Sequence, residues 1–213
     1  TQLHRAIVIA AASAYTIASA QEGDAARIAA EVSANGDKRQ SVKMKHDIAL
    51  LGNATAQELA AAYRCARWNQ DAVEKNEIAT LATVLELAPE STTLSEYVAV
   101  LQKGVSERAK VNSAQIDAAM KRRAAELGVA PVKIVLSPEE KAASKVYPKS
   151  TSKVMESGYG VLRTIPKELT TKYGFHKRGS ITNGGEIAKL ATDGTNSILD
   201  IKKMIDAQFP EGE

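Results

Sequence analysis

The side chains with the most chemistry to offer in this sequence are three histidines, one cysteine and one tryptophan, and the histidines are scattered. His4, His46 and His176 form no H-E-x-x-H motif and no His/Asp/Glu spacing that would aim two imidazoles at one zinc ion. Each reads as a surface or interface histidine. Cys65 neighbours Arg64 and Arg67, whose charges could lower a thiol pKa. No histidine lies near it in sequence to act as a base, so beside Ala66 on a helix it reads as an inert, packed thiol. A lone cysteine also forbids an intrachain disulfide and a cysteine-based zinc site. Trp68 suits an interface anchor or a half-buried helix position. Gly179-Ser-Ile-Thr-Asn-Gly-Gly185 has the composition of a phosphate cradle but not the G-x-x-x-x-G-K-S/T order. A tight turn or helix cap is the simpler reading. No residue is assigned to catalysis, to cofactor binding or to a metal.

The elements that carry these residues are mostly helices. The first proline is Pro89, and the chain before it reads as nearly continuous helix with breaks at Gly23, Gly36 and Gly52-Asn53. Asp24 is expected to cap a helix running to about Leu51, interrupted at Asn35-Gly36-Asp37, with Gly52 as its C′ residue. Thr55-Ala-Gln-Glu58 has capping-box spacing, and the helix after it carries Leu59, Tyr63, Ala66, Val73, Leu81 and Leu85 near one face. It should run to about Ala88. Thr93-Leu-Ser-Glu96 is a second such box, opening a helix with Leu94, Val98, Leu101, Val105, Ile116, Ala119 and Leu127 on one side, ending near Gly128. Two long helices joined by a short loop predict an antiparallel hairpin.

Beyond Gly128 lie eight of the 13 glycines and five of the 6 prolines, so a different kind of structure is expected there. Residues 132–136 predict a short strand. Ser137-Pro-Glu-Glu140 is a third capping box, with proline at the favoured first helical position. An extended connection over residues 147–166 and helical pieces at 166–173, 185–191 and 198–208 follow. Ser197 and Asp200 can cap the last piece, with Ile198, Ile201 and Ile205 as its apolar stripe. The fold class is mainly α: a long antiparallel helical hairpin with a small α(+β) winged-helix-like C-terminal module. The predicted domains are residues 1–23, 24–128 and 129–213.

At 213 residues, such a chain buries enough surface to need no disulfide or metal staple. Aromatic residues are only 4%, so the core must be built from Ala, Leu, Ile and Val, which suits closely packed helices. The net charge is +3, and residues 129–189 hold eleven Lys or Arg against five Glu. That mild basic lobe lacks the dense runs of nucleic-acid binders and reads as a solvated face. Residues 186–208 could form a helix-turn-helix, but Lys202 and Lys203 with few Arg, Asn or Gln are too thin a set for phosphate and base contacts.

Residues 1–20 imitate a secretory signal: His4 and Arg5, an apolar run over residues 6–17, then Ala18-Ser-Ala20. The run is too short to span a membrane. It is expected to be a buried Ala-rich helix packed on a neighbour, and a start at Thr1 points to processing or an excised piece.

The same stretch resembles the final catalytic-domain helix of di-zinc exopeptidases of the bacterial leucyl aminopeptidase and glutamate carboxypeptidase type. Residues 22–32 continue the resemblance into a helical C-terminal extension. Asp193-Gly-Thr-Asn-Ser-Ile-Leu-Asp-Ile201 is similar to the D-G-x-x-S-I-L-D-I motif that ends such extensions. The resemblance touches both ends of the chain. It implies a periplasmic or secreted metallopeptidase origin, with the zinc ligands and general-base glutamate upstream of Thr1 and none on this chain. The expected role is a non-catalytic C-terminal portion that partners a peptidase's catalytic chain or domain, supports oligomerisation or limits substrate access. The alternatives are a free-standing helical protein-binding adaptor and a helix-turn-helix nucleic-acid binder.

Overall fold

The computed structural model describes residues 2–152, 168, 190, 191 and 193–208, with backbone alone at residues 2–4, 13 and 16–18. Six α-helices appear among them: α1 Gln2–Ala18, α2 Glu22–Asn53, α3 Leu59–Thr83, α4 Thr92–Glu126, α5 Pro138–Ala143 and α6 Ile198–Gln208. A single 3-10 turn, Val84–Leu87, extends α3. The chain divides into two compact units, Thr1–Ile134 and Val135–Glu213. The mainly helical expectation holds.

In the first unit α2, α3 and α4 pack on one another about equally, so the predicted hairpin of α3 and α4 is two-thirds of a three-helix bundle. Two apolar clusters make its core. One is built on Leu51, Leu59, Ala66, Ile116 and Met120. The other is built on Ala25, Ala29, Leu81, Leu94, Val98 and Val105. Their residues recur at three- and four-residue steps, which lays a continuous stripe along each helix. Val132 and Ile134 pack against the first cluster, and the Val132 amide donates to Met120 Sδ at 3.3 Å. Residues 132–136 alternate in burial as a strand would, but among the described residues they form no strand.

Several helix ends differ from expectation. The α2 helix runs unbroken through Asn35-Gly36-Asp37. Asp24 is not its cap but its third residue, accepting from the Gln21 amide at 3.3 Å. Gly52 lies inside the last turn, and Ala54 ends the helix in an extended conformation. Ser91, not Thr93, caps α4 by accepting from the Leu94 amide at 3.0 Å. Glu58 accepts from the Thr55 amide and hydroxyl at 3.0 and 2.8 Å, holding its carboxyl below the usual range, but α3 begins only at Leu59. Gly128 closes α4 as expected, with φ +68°; its amide bonds Ala125 O and the Val129 amide bonds Ala124 O.

In the second unit the Ser137 hydroxyl and Glu140 carboxylate cap α5 reciprocally, with Pro138 at its first position. Ser197 and Asp200 do the same for α6. Of the predicted stripe, Ile201 is buried and Ile205 half-buried, while Ile198 is exposed and its neighbour Leu199 is buried instead. The Ile198 amide bonds Val146 O at 2.9 Å, and Lys149 forms a lone antiparallel bridge with Asp193. The predicted helices at 166–173 and 185–191 and most of the extended connection lie outside the described residues.

Gly36 explains the unbroken α2. A Cβ there would stand 2.7 Å from Glu77 Oε2, so the glycine admits a neighbouring carboxylate rather than a turn. Gly36→Ala is expected to lower stability by roughly 1 kcal/mol, overpacking outweighing the gain in helix propensity. In a Glu77→Ala background the same change should stabilise by about 1 kcal/mol. Urea unfolding of the four proteins measures both signs.

Candidate functional site

Between the two apolar clusters the bundle buries polar side chains: Gln40 and Asp47 from α2, Asn69, Gln70 and Glu77 from α3, and Asn112 from α4. Asp47 is the centre of it, with 0% of its surface exposed. Asn69 Nδ2 donates to Asp47 Oδ1 at 2.7 Å, and Gln70 Nε2 donates to Oδ2 at 2.7 Å. Asn112 Nδ2 donates in turn to Gln70 Oε1 at 3.1 Å. The chain of bonds therefore crosses all three helices. Burying a carboxylate costs several kcal/mol unless its oxygens are satisfied. Here each oxygen has a short donor, and a charged acceptor makes such bonds stronger than neutral ones.

His46 Nδ1 lies 3.4 Å from Asp47 Oδ1, with its ring mostly in solvent. It is the one sequence-flagged histidine with described side-chain contacts; the side chain of His4 and all of His176 lie outside the described residues. Toward the α2 start, Glu77 receives a two-pronged clamp from Arg39, Nε to Oε1 at 2.7 Å and Nη2 to Oε2 at 2.6 Å. Glu77 holds the guanidinium pKa above its ordinary value through that hydrogen bond and charge, against the opposing effect of burial. Gly36 lies beneath this clamp. Gln40 is different: it is 1% exposed, and neither of its amide atoms has a hydrogen-bond partner among the described residues.

Toward the other end, Tyr63 Oη and Arg67 Nη1 both donate to Asp117 Oδ1, at 2.8 and 2.7 Å. Burial, then the hydrogen bond to Asp117, pushes the Tyr63 phenol above its ordinary 10.0. Arg67 is thus paired with Asp117. The Cys65 thiol is exposed rather than packed, with Sγ 3.7 Å from Asn69 Nδ2. Arg64 stacks over Trp68, 5.3 Å from the ring centre, and Trp68 is buried rather than half-buried. The Gly179–Gly185 loop, and the first helix of the supposed helix-turn-helix apart from residues 190 and 191, lie outside the described residues. Lys202 on α6 is engaged by Asp206 at 2.6 Å.

This arrangement holds helices in register; it does not bring a nucleophile, base and oxyanion donor to one point. Among the described residues no three His, Cys, Asp or Glu side chains converge as a metal site. No helix of the described chain is long and apolar enough to cross a membrane. No protein-family model, curated protein or solved structure matches the sequence.

The polar layer itself had a readable trace. Gln40 and Asp47 occupy the same α2 stripe as Met44 and Leu51, and Asn112 sits in the α4 stripe before Ile116. A polar residue at an interior position is the signal.

Asp47→Ala should destabilise the bundle by about 3 kcal/mol, because it strands two buried amides. Gln40→Met, similar in shape and without polar atoms to desolvate, should instead stabilise it by about 1 kcal/mol. Denaturant midpoints distinguish the two. For Tyr63, folded-state protonation is favoured, so the stability it adds is complete below pH 10 and falls as pH rises above that value. Tyr63→Phe should flatten that alkaline decline, as followed by circular dichroism.

Proposed function

We propose that this chain is the non-catalytic C-terminal portion of a zinc-dependent aminopeptidase-like protein, with α1 packed on the catalytic domain. On this reading zinc and the general base belong to that partner, and the protein acts in the periplasm or outside the cell. The bundle is an oligomerisation arm or a wall beside the substrate path. On the same reading residues 129–213 supply a small winged-helix-like module.

The observation that carries the reading is the surface of α1. Ile7, Val8, Ile9 and Tyr15 are all more than half exposed, and the described alanines between them are exposed as well. A helix apolar around its circumference belongs in an interior. The expected burial of α1 is therefore not met within the described chain, and a partner domain would supply it. The D-G-T-N-S-I-L-D-I stretch supports the module in a physical way. Thr195 donates twice to Asp193, Gly194 takes φ +79°, and Ser197 and Asp200 start α6. Each of those positions has a structural use.

A second reading, a free-standing protein-binding adaptor, is favoured by exposed Val42, Val100 and Val111 on a bundle that carries its own core.

Native mass spectrometry of the material that co-purifies with this chain, with zinc quantified in the same sample, separates the two. The peptidase reading predicts a stoichiometric larger species carrying two zinc ions. A lone metal-free species that binds no such domain when mixed with one would sink it.

A further inference from the structure

One side of the bundle is unfinished. The α2 and α4 helices start side by side, tied by the Ser91 hydroxyl donating to Glu22 Oε1 at 2.5 Å. Between their first turns lies an apolar groove of about 490 Å³, lined by Glu22, Gly23, Ala26, Thr93, Leu94 and Tyr97. The α4 face continues from Tyr97 through Val100 and Gly104 at helical spacing, and Val100 is 67% exposed. Gly23 and Gly104 stand on this face with no atom within 4 Å of where a Cβ would be. Glycine inside a helix is destabilising relative to alanine, and no described neighbour requires one at either position.

The α1 helix is joined to this groove by residues 19–21 alone, since Glu22 is both the first residue of α2 and part of the lining. Connections that short make antiparallel helical hairpins. The α2 and α4 helices run in the same direction and α3 opposes them, so α1 folded back would complete an up-down-up-down arrangement. Its 17 residues span about 25 Å, which reaches from Glu22 to the region of the Arg108–Asp37 ion pair. Small residues on both surfaces, the alanines of α1 against Gly23, Ala26, Ala30 and Gly104, allow close approach of the axes.

We propose that α1 also adopts a closed conformation in which it lies in the α2–α4 groove as the fourth helix of the bundle. One side of α1 is then covered by its own chain, and the opposite apolar side remains for a partner. The tether gives the closure a high effective concentration, so it does not depend on a second copy. It also stands independently of any peptidase partner.

The test places spin labels at Arg5→Cys and Lys38→Cys in the full chain with Cys65→Ser, and reads the distance by pulsed electron resonance. Closure predicts a population below about 25 Å, because antiparallel helices pack with axes about 10 Å apart. That population should persist on tenfold dilution and shift beyond about 35 Å in Gly104→Leu, whose side chain stands on the α4 face that the closed α1 would cover. Circular dichroism should show the bundle's helicity unchanged in that variant. Distances that are long in every sample overturn the proposal. A short distance that vanishes on dilution means another copy's helix fills the groove, which overturns the tethered closure. A short distance indifferent to Gly104→Leu overturns the groove as its seat.

Discussion

A carboxylate with no solvent exposure must be matched or the bundle around it cannot stand. Asp47 is that group, and its two oxygens accept from Asn69 and Gln70 across the α2–α3 interface. A shift of one helix by a single turn would leave the carboxylate facing aliphatic side chains, at a cost of several kcal/mol. The apolar stripes above and below could slide with far less loss, since Ala, Leu and Val packing is forgiving of exact partners. The polar layer thus selects one register from several that burial alone would allow, a role best known for polar residues in helical coils. Asn112 extends the selection to α4 through Gln70.

The layer is not uniform. Glu77 is doubly clamped by Arg39, whereas Gln40 is buried with its amide unmatched. One stretch of α2 therefore lies beside both a doubly clamped carboxylate and an unmatched amide. An unmatched buried amide costs about 1–3 kcal/mol, which makes the middle of α2 the place where the bundle can most readily be improved.

Local chemistry was legible in part, and tertiary chemistry was not. The Ser137–Glu140 and Ser197–Asp200 caps depend on residues three apart, and both form as their spacing requires. Gly128 stops α4 because its positive φ is a local property. Asn35-Gly36-Asp37 has the composition of a turn, yet Gly36 is there for Glu77, which is 41 positions away in sequence and close only after folding. Residues 132–136 alternate like a strand, and Val132 and Ile134 lie on the bundle; periodicity alone does not distinguish that packing from pairing in a sheet. Cys65 and Trp68 are neighbours on α3 that point to opposite environments, a matter of which face α2 and α4 cover.

The exposed α1 and the buried core of α2–α4 divide the first unit into a part that needs company and a part that carries its own core. That division rests on the polar layer holding the three helices as one body. The most direct test is a double-mutant cycle between Asp47→Ala and Gln70→Ala, with stability measured by urea unfolding. The account predicts a coupling energy above about 1 kcal/mol, since the second substitution removes a contact already lost. Additive losses, with coupling near zero, would contradict it.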